Sequence, residues 1–343
     1  MNDISCFLGA NSYGGFFSLY ESYIARFSPA RLFVLKGGAG CGKSGCLCRV
    51  AEAARKQGLD TERILCSGDP DSLDGVFIPS RSLMLFDGTA PHVLEPPQVG
   101  HRGFYLDLSR YYRPGVPPLR ELEAAYREHY RQAYLYLAAA GSVSRVPSVP
   151  EEAAAAIRQR ARSLIQRELR QKGRERGSIT RWFSDAFSCL GSVSLTETRL
   201  SLCPRLITLT GGADAADIFL KEALETALGK GYDVTVNPSP LDPDVLSHVL
   251  IPEVGLGFTV GSGSRKLHLD KQLRAFSSAG WLSVRREASV QRDALLRKAQ
   301  QELKLAKQEH DRLEAAVNPY VDFDAVGALA EDLIERELSP ESP

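Results

Sequence analysis

The sequence predicts an α/β protein with parallel sheets, built from two tandem copies of one unit and extended by helical arm segments. Two observations predict this fold. Short apolar runs alternate with helical patterns, as they do in strands joined by helical crossovers. In addition, a segment near the amino terminus returns in the second half of the chain. The length of 343 residues exceeds what one core usually holds, so two domains also fit the size of the chain.

The internal repeat consists of two matching blocks. Residues 31–39, RLFVLKGGA, return as residues 205–213, RLITLTGGA, at a displacement of 174. Residues 69–79 return as residues 242–252 at a displacement of 173, and seven of the 11 positions are identical. A one-residue deletion in the helix between the blocks would explain the change in displacement. We therefore interpret the chain as a duplication.

The two copies are expected to contain the same elements in the same order. Each begins with a buried strand, 31–36 or 205–210, that runs into a glycine turn. The further expected bounds are helices 44–57 and 217–229, second strands 61–66 and 233–237, and third strands 83–87 and 255–260. Strands that alternate with helices in this way indicate a parallel sheet with right-handed crossovers.

A helix follows each predicted core. Apolar side chains recur at spacings of three and four from Leu119 to Leu137 and from Leu296 to Val317. The pattern favours a helix buried against its own domain, and a projecting antiparallel hairpin arm is the alternative. His310 lies within the second stripe and is expected to be a core histidine.

We expect three regions along the chain. They are a first domain with a helical extension at 1–145, an arginine-rich helical connector at 146–186, and a second domain with carboxyl-terminal helices at 187–343. Between Arg158 and Arg181 the connector carries nine Lys or Arg residues against two Glu residues. A solvated helix face is the favoured interpretation. Phosphate clamping and a nucleic-acid contact are the alternatives.

A complete phosphate-binding loop joins the first strand to the first helix. Its residues follow the Walker A pattern GxxxxGKS and are Gly37, Gly38, Ala39, Gly40, Cys41, Gly42, Lys43 and Ser44. Glycines let backbone N–H groups approach phosphate oxygens, and the following helix adds the positive end of its dipole. Lys43 is expected to reach the terminal phosphates, and Ser44 to supply a hydroxyl ligand to Mg²⁺. The motif therefore predicts binding of ATP or another nucleoside triphosphate together with Mg²⁺.

Carboxylates accompany two of the predicted strands. Asp87 ends the strand 83–87, at the sheet edge where ligands of open α/β folds bind, and it resembles a Walker B aspartate that holds Mg²⁺. An ordinary strand-ending Asp is the alternative. Asp74 is a candidate water-orienting group, whereas Asp69 and Asp71 fit a turn with Asx caps. The predicted catalytic residues are thus Lys43, Asp87 and Asp74, and the predicted metal ligands are Ser44 and Asp87.

The second copy lacks the functional groups of this loop. At a displacement of 174, Asp214, Ala216, Asp217 and Ile218 replace Gly40, Gly42, Lys43 and Ser44. Val260 lies near the position of Asp87, and Ser247 replaces Asp74. An anionic Asp217 in the place of the lysine would repel phosphate. We expect one triphosphate per chain, bound in the first copy, while the second copy serves as a scaffold or completes the first site.

Charge and composition exclude several classes of partner. Lys plus Arg and Asp plus Glu both number 42, so no net charge draws the chain onto nucleic acid or an anionic membrane. No apolar run approaches roughly 18 residues, the length of a membrane span. Seven cysteines without C-x-x-C clusters or matching His spacing fit a reduced, cytoplasmic protein. Binding of nucleic acid is therefore possible but unsupported, no membrane association is expected, and the protein partner is unknown.

The chain resembles a little-characterised family of bacterial P-loop ATPase-like proteins with two tandem α/β units. The resemblance spans most of the chain and rests on 9–11 (GAN), 36–44, 67–79, 87–92 (DGTAPH), 318–319 (NP) and 322–323 (DF). It implies P-loop NTPase-type parallel sheets and nucleotide binding, whereas DGTAPH indicates no particular reaction. Members of the family often keep Gly-Lys-Ser or Gly-Lys-Thr in the second copy. The ADI of residues 216–218 departs from that pattern, which makes the second unit degenerate here.

A Mg²⁺-dependent ATPase is the function that these features favour. Lys43 would stabilise the charge of the transition state, and Asp87 would serve the metal. No Glu follows Asp87, so the acid pair with which many ATPases orient water is absent. Asp87 followed by Gly88 is closer to the kinase side of the P-loop proteins.

Two alternatives stay open. In a small-molecule or nucleotide kinase, Asp69 or Asp74 would contact the hydroxyl of a small-molecule phosphate acceptor. Arg102, Arg110 or an arginine of 158–181 would then clamp phosphate. In a nucleotide-dependent interaction switch, the helical arm and the second copy would bind a partner instead.

Overall fold

Two six-stranded mixed sheets, flanked by helices, form the centre of the protein. The computed structural model describes residues 3–144, 148–261, 263 and 265–339. The predicted α/β class is therefore confirmed.

The first copy contains eight strands and three helices among the described residues. They are β1 Asp3–Phe7, β2 Gly9–Ser12, β3 Gly15–Ser18, α1 Tyr20–Arg26, β4 Arg31–Lys36, α2 Lys43–Lys56, β5 Thr61–Leu65, β6 Leu73–Ile78, β7 Leu83–Asp87, β8 Gly103–Asp107 and α3 Arg120–Ser144. Short 3-10 turns follow β6 at Pro79–Arg81 and β8 at Leu108–Tyr111. Residues 32–35 of strand β4 form a continuous apolar run and are all buried. This pattern is typical of a central strand with both faces covered.

The second half repeats this series of elements. They are α4 Glu151–Glu168, β9 Ile179–Arg181, β10 Asp185–Ser188, β11 Gly191–Ser194, α5 Thr196–Leu202, β12 Arg205–Thr210, α6 Ala213–Gly229, β13 Val234–Pro238, β14 Leu246–Ile251, β15 Leu256–Thr259, β16 Arg265–His268, α7 Asp270–Phe276, α8 Ala279–Val317 and α9 Phe323–Leu338. In the part of the chain that the structure describes, none of these helices combines the length and the apolar character needed to cross a membrane.

The two sheets have the same topology, which confirms the repeat. Their strand orders are β1-β5-β6-β7-β4-β8 and β9-β13-β14-β15-β12-β16. The expected parallel pairing is only partly correct, because β6 and β14 run antiparallel to both of their neighbours. Only residues 66–72 join β5 to β6, whereas a parallel crossover needs a dozen or more residues. This short connection forces a hairpin, and it puts the first residues of β6 at the carboxyl edge of the parallel strands.

The helix register shows that the deletion between the copies lies in the loop, so its expected place in the helix is wrong. At a displacement of 173, the buried Cys46, Leu47, Val50, Ala51 and Ala54 of α2 match the buried Phe219, Leu220, Ala223, Leu224 and Ala227 of α6. The left-handed glycines that follow the helices, Gly58 and Gly231, keep the same displacement. In this register α6 begins at Ala213, three residues before the counterpart of Lys43. The equivalents of the first copy's loop residues therefore form the first turn of a helix in the second copy.

The helix that follows each long helix in the chain packs on the opposite copy. Helix α4 follows α3 in the chain but packs on α6 of the second copy, where Ile157 and Ile165 join the core. Helix α9 follows α8 but packs on α2 of the first copy, where Val326 and Leu333 join the core. The exchange is reciprocal, so neither copy has a complete core without the other.

The long helices α3 and α8 pair with each other, so the expected burial of each against its own domain is wrong. The two helices are antiparallel, as expected in the alternative of a projecting antiparallel arm. His129 contacts Glu302 at 2.8 Å, whereas the earlier Tyr126 has its ring 5.4 Å from that of the later His310. Helix α8 has 39 residues and thus spans roughly 58 Å, far more than strands of four to six residues can cover. His310 is half-buried against Tyr126, so the expected core histidine is also wrong.

The arginine-rich segment is tied to the second copy. Helix α4 turns its apolar face to α6 and leaves Arg162 exposed, which confirms the solvated helix face. Arg162 pairs with Glu222 at 2.8 Å, and Arg174 pairs with Asp233 at 2.7 Å. The division of the chain at 145 and 186 stays a prediction, but packing contacts run across it.

The two copies meet through equivalent residues. Phe7 and Phe183 exchange backbone hydrogen bonds, with each N–H donating to the other carbonyl at 2.9 Å. Such reciprocity is typical of a contact around a two-fold axis. Leu32 and Leu206, which start the equivalent strands β4 and β12, are buried in the same apolar cluster. The protein therefore resembles a dimer whose two subunits lie in one chain.

Candidate functional site

The glycine loop lies at the carboxyl edge of the first sheet, between β4 and α2. Strands β4, β7 and β8 are neighbours in parallel register and end together beside it. Gly37, Gly40 and Gly42 have φ angles of 150°, 72° and 91°. Side chains with a Cβ rarely adopt such angles, so the sequence supplies glycine where the turn needs it. A turn of this kind ahead of a helix is what an anion-binding loop requires.

Lys43 is the first residue of α2, and its ammonium group lies over the loop. Its Nζ donates to Gly37 O at 2.9 Å and to Gly38 O at 2.8 Å. The same nitrogen lies 3.8 Å from Asp87 Oδ2, and both side chains are mostly buried. The structure therefore brings together the cation and the carboxylate that were predicted from separate parts of the sequence.

Ser44 connects the loop to strand β6. Its Oγ accepts a hydrogen bond from Leu73 N at 3.1 Å. A hydroxyl has two lone pairs and one proton, so this contact leaves one lone pair free for a metal ion. The same hydrogen bond fixes the residue that precedes Asp74.

Asp87 uses its two carboxylate oxygens differently. Oδ1 accepts from Thr89 N at 2.8 Å and from Thr89 Oγ1 at 2.6 Å, which is the local cap expected of an ordinary strand-ending Asp. Oδ2 faces Lys43. The residue thus serves the turn with one oxygen and leaves the other directed toward the loop.

Asp74 lies opposite Asp87 on the neighbouring strand. The antiparallel register of β6 and β7 pairs Gly75 with Phe86, and its continuation sets Asp74 against Asp87. The second copy makes the same pairing, since Val260 N donates to Ser247 O at 2.9 Å. Residues directly opposite each other in antiparallel strands project to the same face. Two carboxylates therefore share this edge of the sheet.

Asp74 is buried in a polar pocket formed with Tyr20 and His92. Only 7% of Asp74 and 8% of His92 are exposed. Tyr20 OH donates to Asp74 Oδ2 at 3.0 Å, and His92 Nε2 lies 4.0 Å from the same oxygen. Burial raises the pKa of Asp74, the neighbouring His92 lowers it, and the charge of Asp87 raises it further. The ring of Tyr20 stacks on that of His92 at 5.0 Å and closes the pocket on one side.

The chain end that follows α8 forms a wall of the loop. In the amide orientation that satisfies its neighbours, Asn318 Nδ2 donates to Gly40 O at 3.1 Å and to Glu314 O at 3.0 Å. A Cβ on Gly42 would meet Val326 of α9 at 3.2 Å. The helix exchange therefore makes the end of the second copy part of the first copy's site.

Four residues of this site were missed as functional candidates. They are Tyr20, His92, Tyr112 and Asn318. His92 and Asn318 belong to the stretches that carry the family resemblance, which gave neither of them a role. The Tyr112 hydroxyl would lie 3.0 Å from a Cβ on Gly38, so it lines the loop. No pattern in the sequence marked Tyr20 or Tyr112.

The remaining predicted residues differ in position and exposure. Asp69 forms an ion pair with Lys307 of α8 at 3.4 Å, and Asp71 is exposed. The carbonyl of Arg102 accepts from Leu32 N, at the start of β4 and hence at the opposite edge of the sheet. Arg102 is therefore unsuitable as a phosphate clamp, whereas Arg110 is exposed in the turn after β8.

The corrected register changes the reading of the second copy's loop. Asp217 Oδ1 accepts from Leu246 N at 2.8 Å, just as Ser44 accepts from Leu73 N. Asp217 therefore replaces the serine, and the buried Ala216 replaces the lysine, so placing Asp217 at the lysine position was wrong. Arg285 pairs with Asp214 in the first turn of α6. In this copy a helical turn and an ion pair stand in place of the loop.

The donor set at the first copy fits Mg²⁺. This ion takes oxygen ligands and keeps several waters, so few protein ligands suffice. Ser44 Oγ and Asp87 Oδ2 are two such oxygens at the ends of adjoining elements. Ser44 Oγ, through its remaining lone pair, and Asp87 Oδ2 are the atoms that would bind Mg²⁺.

Comparisons of the chain with protein-family models, with curated proteins and with solved structures found no match in any of the three.

Proposed function

We propose that the chain binds a nucleoside triphosphate, ATP or another, in the glycine loop of the first copy and hydrolyses its terminal phosphate with Mg²⁺. We further propose that it belongs to the P-loop ATPase-like proteins that it resembles. One observation carries the proposal: Lys43 Nζ lies over the loop carbonyls, 3.8 Å from a carboxylate oxygen of Asp87 at the end of the adjacent strand.

Each residue of the site would have a separate role. Loop amides and the amino end of α2 bind the phosphates, and Lys43 stabilises the charge that develops on the terminal phosphoryl group. Ser44 and Asp87 would hold Mg²⁺, which neutralises phosphate charge when it is bound. Asp74 would orient the nucleophile, because it lies beside Asp87 at the same edge. We place this activity in the cytoplasm, since the seven cysteines are free thiols.

A kinase remains the second candidate, because the site contains a buried carboxylate that could accept a hydroxyl proton. The two functions differ in one measurable respect. A hydrolase consumes triphosphate without an added acceptor, whereas a kinase requires one.

The test is a panel of triphosphates measured for binding with and without Mg²⁺, followed by phosphate release with the tightest ligand. Lys43→Ala should reduce turnover by at least about 100-fold, because it removes the cation that stabilises developing charge. Lys56→Ala, at the exposed end of the same helix, is the matched control and should retain turnover. Unchanged affinity and turnover in a folded Lys43→Ala protein would contradict the proposal.

A further inference from the structure

His92 is an unexplained buried group next to the proposed site. It is more than nine-tenths buried, yet neither ring nitrogen has a hydrogen-bond partner among the described residues. Leaving a buried polar group unpaired destabilises the folded protein. A ligand that pairs with the ring would remove this cost, so the imidazole marks a place where a small polar molecule binds.

The nearest polar atom defines where that molecule would lie. Asp74 Oδ2 is 4.0 Å from His92 Nε2, too far for a direct hydrogen bond. An oxygen atom about 2.8 Å from each of them would hydrogen-bond to both. Asp74 Oδ2 already accepts from Tyr20 OH, and a carboxylate oxygen retains a further lone pair for a second donor.

The surroundings restrict the size of this molecule. The Tyr20 ring stacks on the imidazole at 5.0 Å, and the Phe16 ring lies 6.2 Å from it. On the other side, Asp74 is part of strand β6, and the residue before it, Leu73, is fixed by a hydrogen bond to Ser44. A single water oxygen can bridge the 4.0 Å between Asp74 Oδ2 and His92 Nε2, so water is the molecule that this separation suits.

We propose that His92 and Asp74 bind the attacking water, and that His92 is the catalytic base of the hydrolysis. This role rests on the proposed function. Water donates one hydrogen to Asp74 and the other to His92 Nε2. Its oxygen forms the new bond to the terminal phosphorus as the bond from phosphorus to the bridging oxygen breaks. That electron pair leaves on the nucleoside diphosphate, and the water proton passes to His92 and is then released to solvent. The products are nucleoside diphosphate, inorganic phosphate and a proton.

The experiment compares His92→Ala with His101→Ala. His101 is an exposed histidine in the same segment between β7 and β8. Affinity for a non-hydrolysable triphosphate and the rate of phosphate release are measured separately. His92→Ala should lower kcat by about 100-fold or more, the usual effect of losing a general base, while Kd changes by less than about twofold. Added imidazole should raise the rate of the variant at least about tenfold, since it can occupy the vacated space beside Tyr20. His101→Ala should match the wild type.

Several results would overturn the inference. A folded His92→Ala protein with kcat within about threefold of the wild type, or one that imidazole does not rescue, excludes His92 as the base. If this variant does not fold, His92→Gln takes its place and must show the same loss of kcat with intact binding. Triphosphate consumption that requires an alcohol acceptor, with no oxygen from isotopically labelled water entering the transferred phosphoryl group, excludes water as the nucleophile. Failure of the wild-type chain to bind any triphosphate would instead contradict the proposed function, and this role with it.

Discussion

Among single residues, the charged groups at the sheet edge differ in how strongly the fold constrains them. Lys43 and Asp87 each bond to the local backbone and still face each other. Asp74 is buried, its Oδ2 accepts a hydrogen bond from Tyr20 OH, and His92 Nε2 lies 4.0 Å from the same oxygen. A carboxylate buried in this way destabilises the native state, so its presence is more easily explained by chemistry than by folding.

Asp87→Asn should lower turnover at least about 100-fold while triphosphate affinity changes much less, because loop amides still hold the phosphates after a metal ligand is weakened. Turnover is measured against Mg²⁺ concentration. Asp107→Asn is the matched control, since Asp107 caps Ser109 as Asp87 caps Thr89 but ends a different strand. If Asp87→Asn kept the wild-type rate and Mg²⁺ dependence, Asp87 would act only as a structural cap.

Asp74→Asn should stabilise the protein at pH 7 by roughly 0.5–2 kcal/mol while lowering turnover, the usual trade-off at a functional site. Because burial raises the pKa of Asp74 in the folded state, wild-type stability from this group is complete below the unfolded pKa of about 3.9 and is lost as pH rises through the folded value. The difference in Tm between variant and wild type should therefore grow from acidic to neutral pH.

Denaturation monitored across that pH range checks the prediction. Asp71→Asn, at an exposed position just ahead of β6, should show no such trend. A Tm difference for Asp74→Asn that is constant with pH would mean that the carboxylate is not held in a desolvated pocket.

At the scale of elements, the sequence predicted those strands and helices whose boundaries are marked by glycine. Strand β4 and strand β7 lie where they were expected, because a continuous apolar run ends in each case at a polar residue and a glycine. Strand β6 was missed because Asp74 and Gly75 interrupt its apolar pattern. The start of α6 was misplaced because alignment to the first copy assumed a loop, whereas Asp214, Ala215 and Ala216 continue as helix.

The pocket around His92 illustrates what local patterns cannot provide. It unites α1, β6 and the segment after β7, which are distant in sequence and meet only because β6 runs antiparallel. The wall formed by Asn318 was hidden for a similar reason, since it depends on a helix exchange between copies. The loop itself could be predicted, because all its functional groups are contiguous.

Asn318→Ala should weaken triphosphate binding about threefold to tenfold, because it removes the donor that ties Gly40 O to the end of α8. Titration calorimetry with a non-hydrolysable triphosphate measures the effect. Lys304→Ala, an exposed position on the same helix, is the control. Equal affinities in both variants would show that this wall is not coupled to the loop.

In the whole molecule, only the first of the two copies has the glycine loop with its lysine and serine. The second copy keeps the strand order of the first, yet its loop is replaced by a helical turn, with Ala216 and Asp217 in the places of Lys43 and Ser44. Its remaining contribution to the site is structural, through α9 and the end of α8. The second copy therefore contacts the loop of the first copy although it has no such loop itself.

We therefore expect one triphosphate per chain. Calorimetry should give a stoichiometry of one for the wild type, and Asp217→Asn should leave it unchanged, because the second copy has neither a lysine nor an open loop. Two saturable sites per chain, or full stoichiometry retained in Lys43→Ala, would contradict this prediction.

The reciprocal helix exchange also sets an order of events during synthesis. A ribosome adding roughly 5–20 residues per second makes residues 37–44 tens of seconds before it reaches Asn318 and α9. Until then the nascent first copy exposes the apolar face of α2 that Val326 and Leu333 later cover, a surface of the kind that chaperones hold and proteases cut. Chains released early would keep that face uncovered and lack the wall at Gly40. The surroundings of the glycine loop are thereby complete only after α9 has been synthesised.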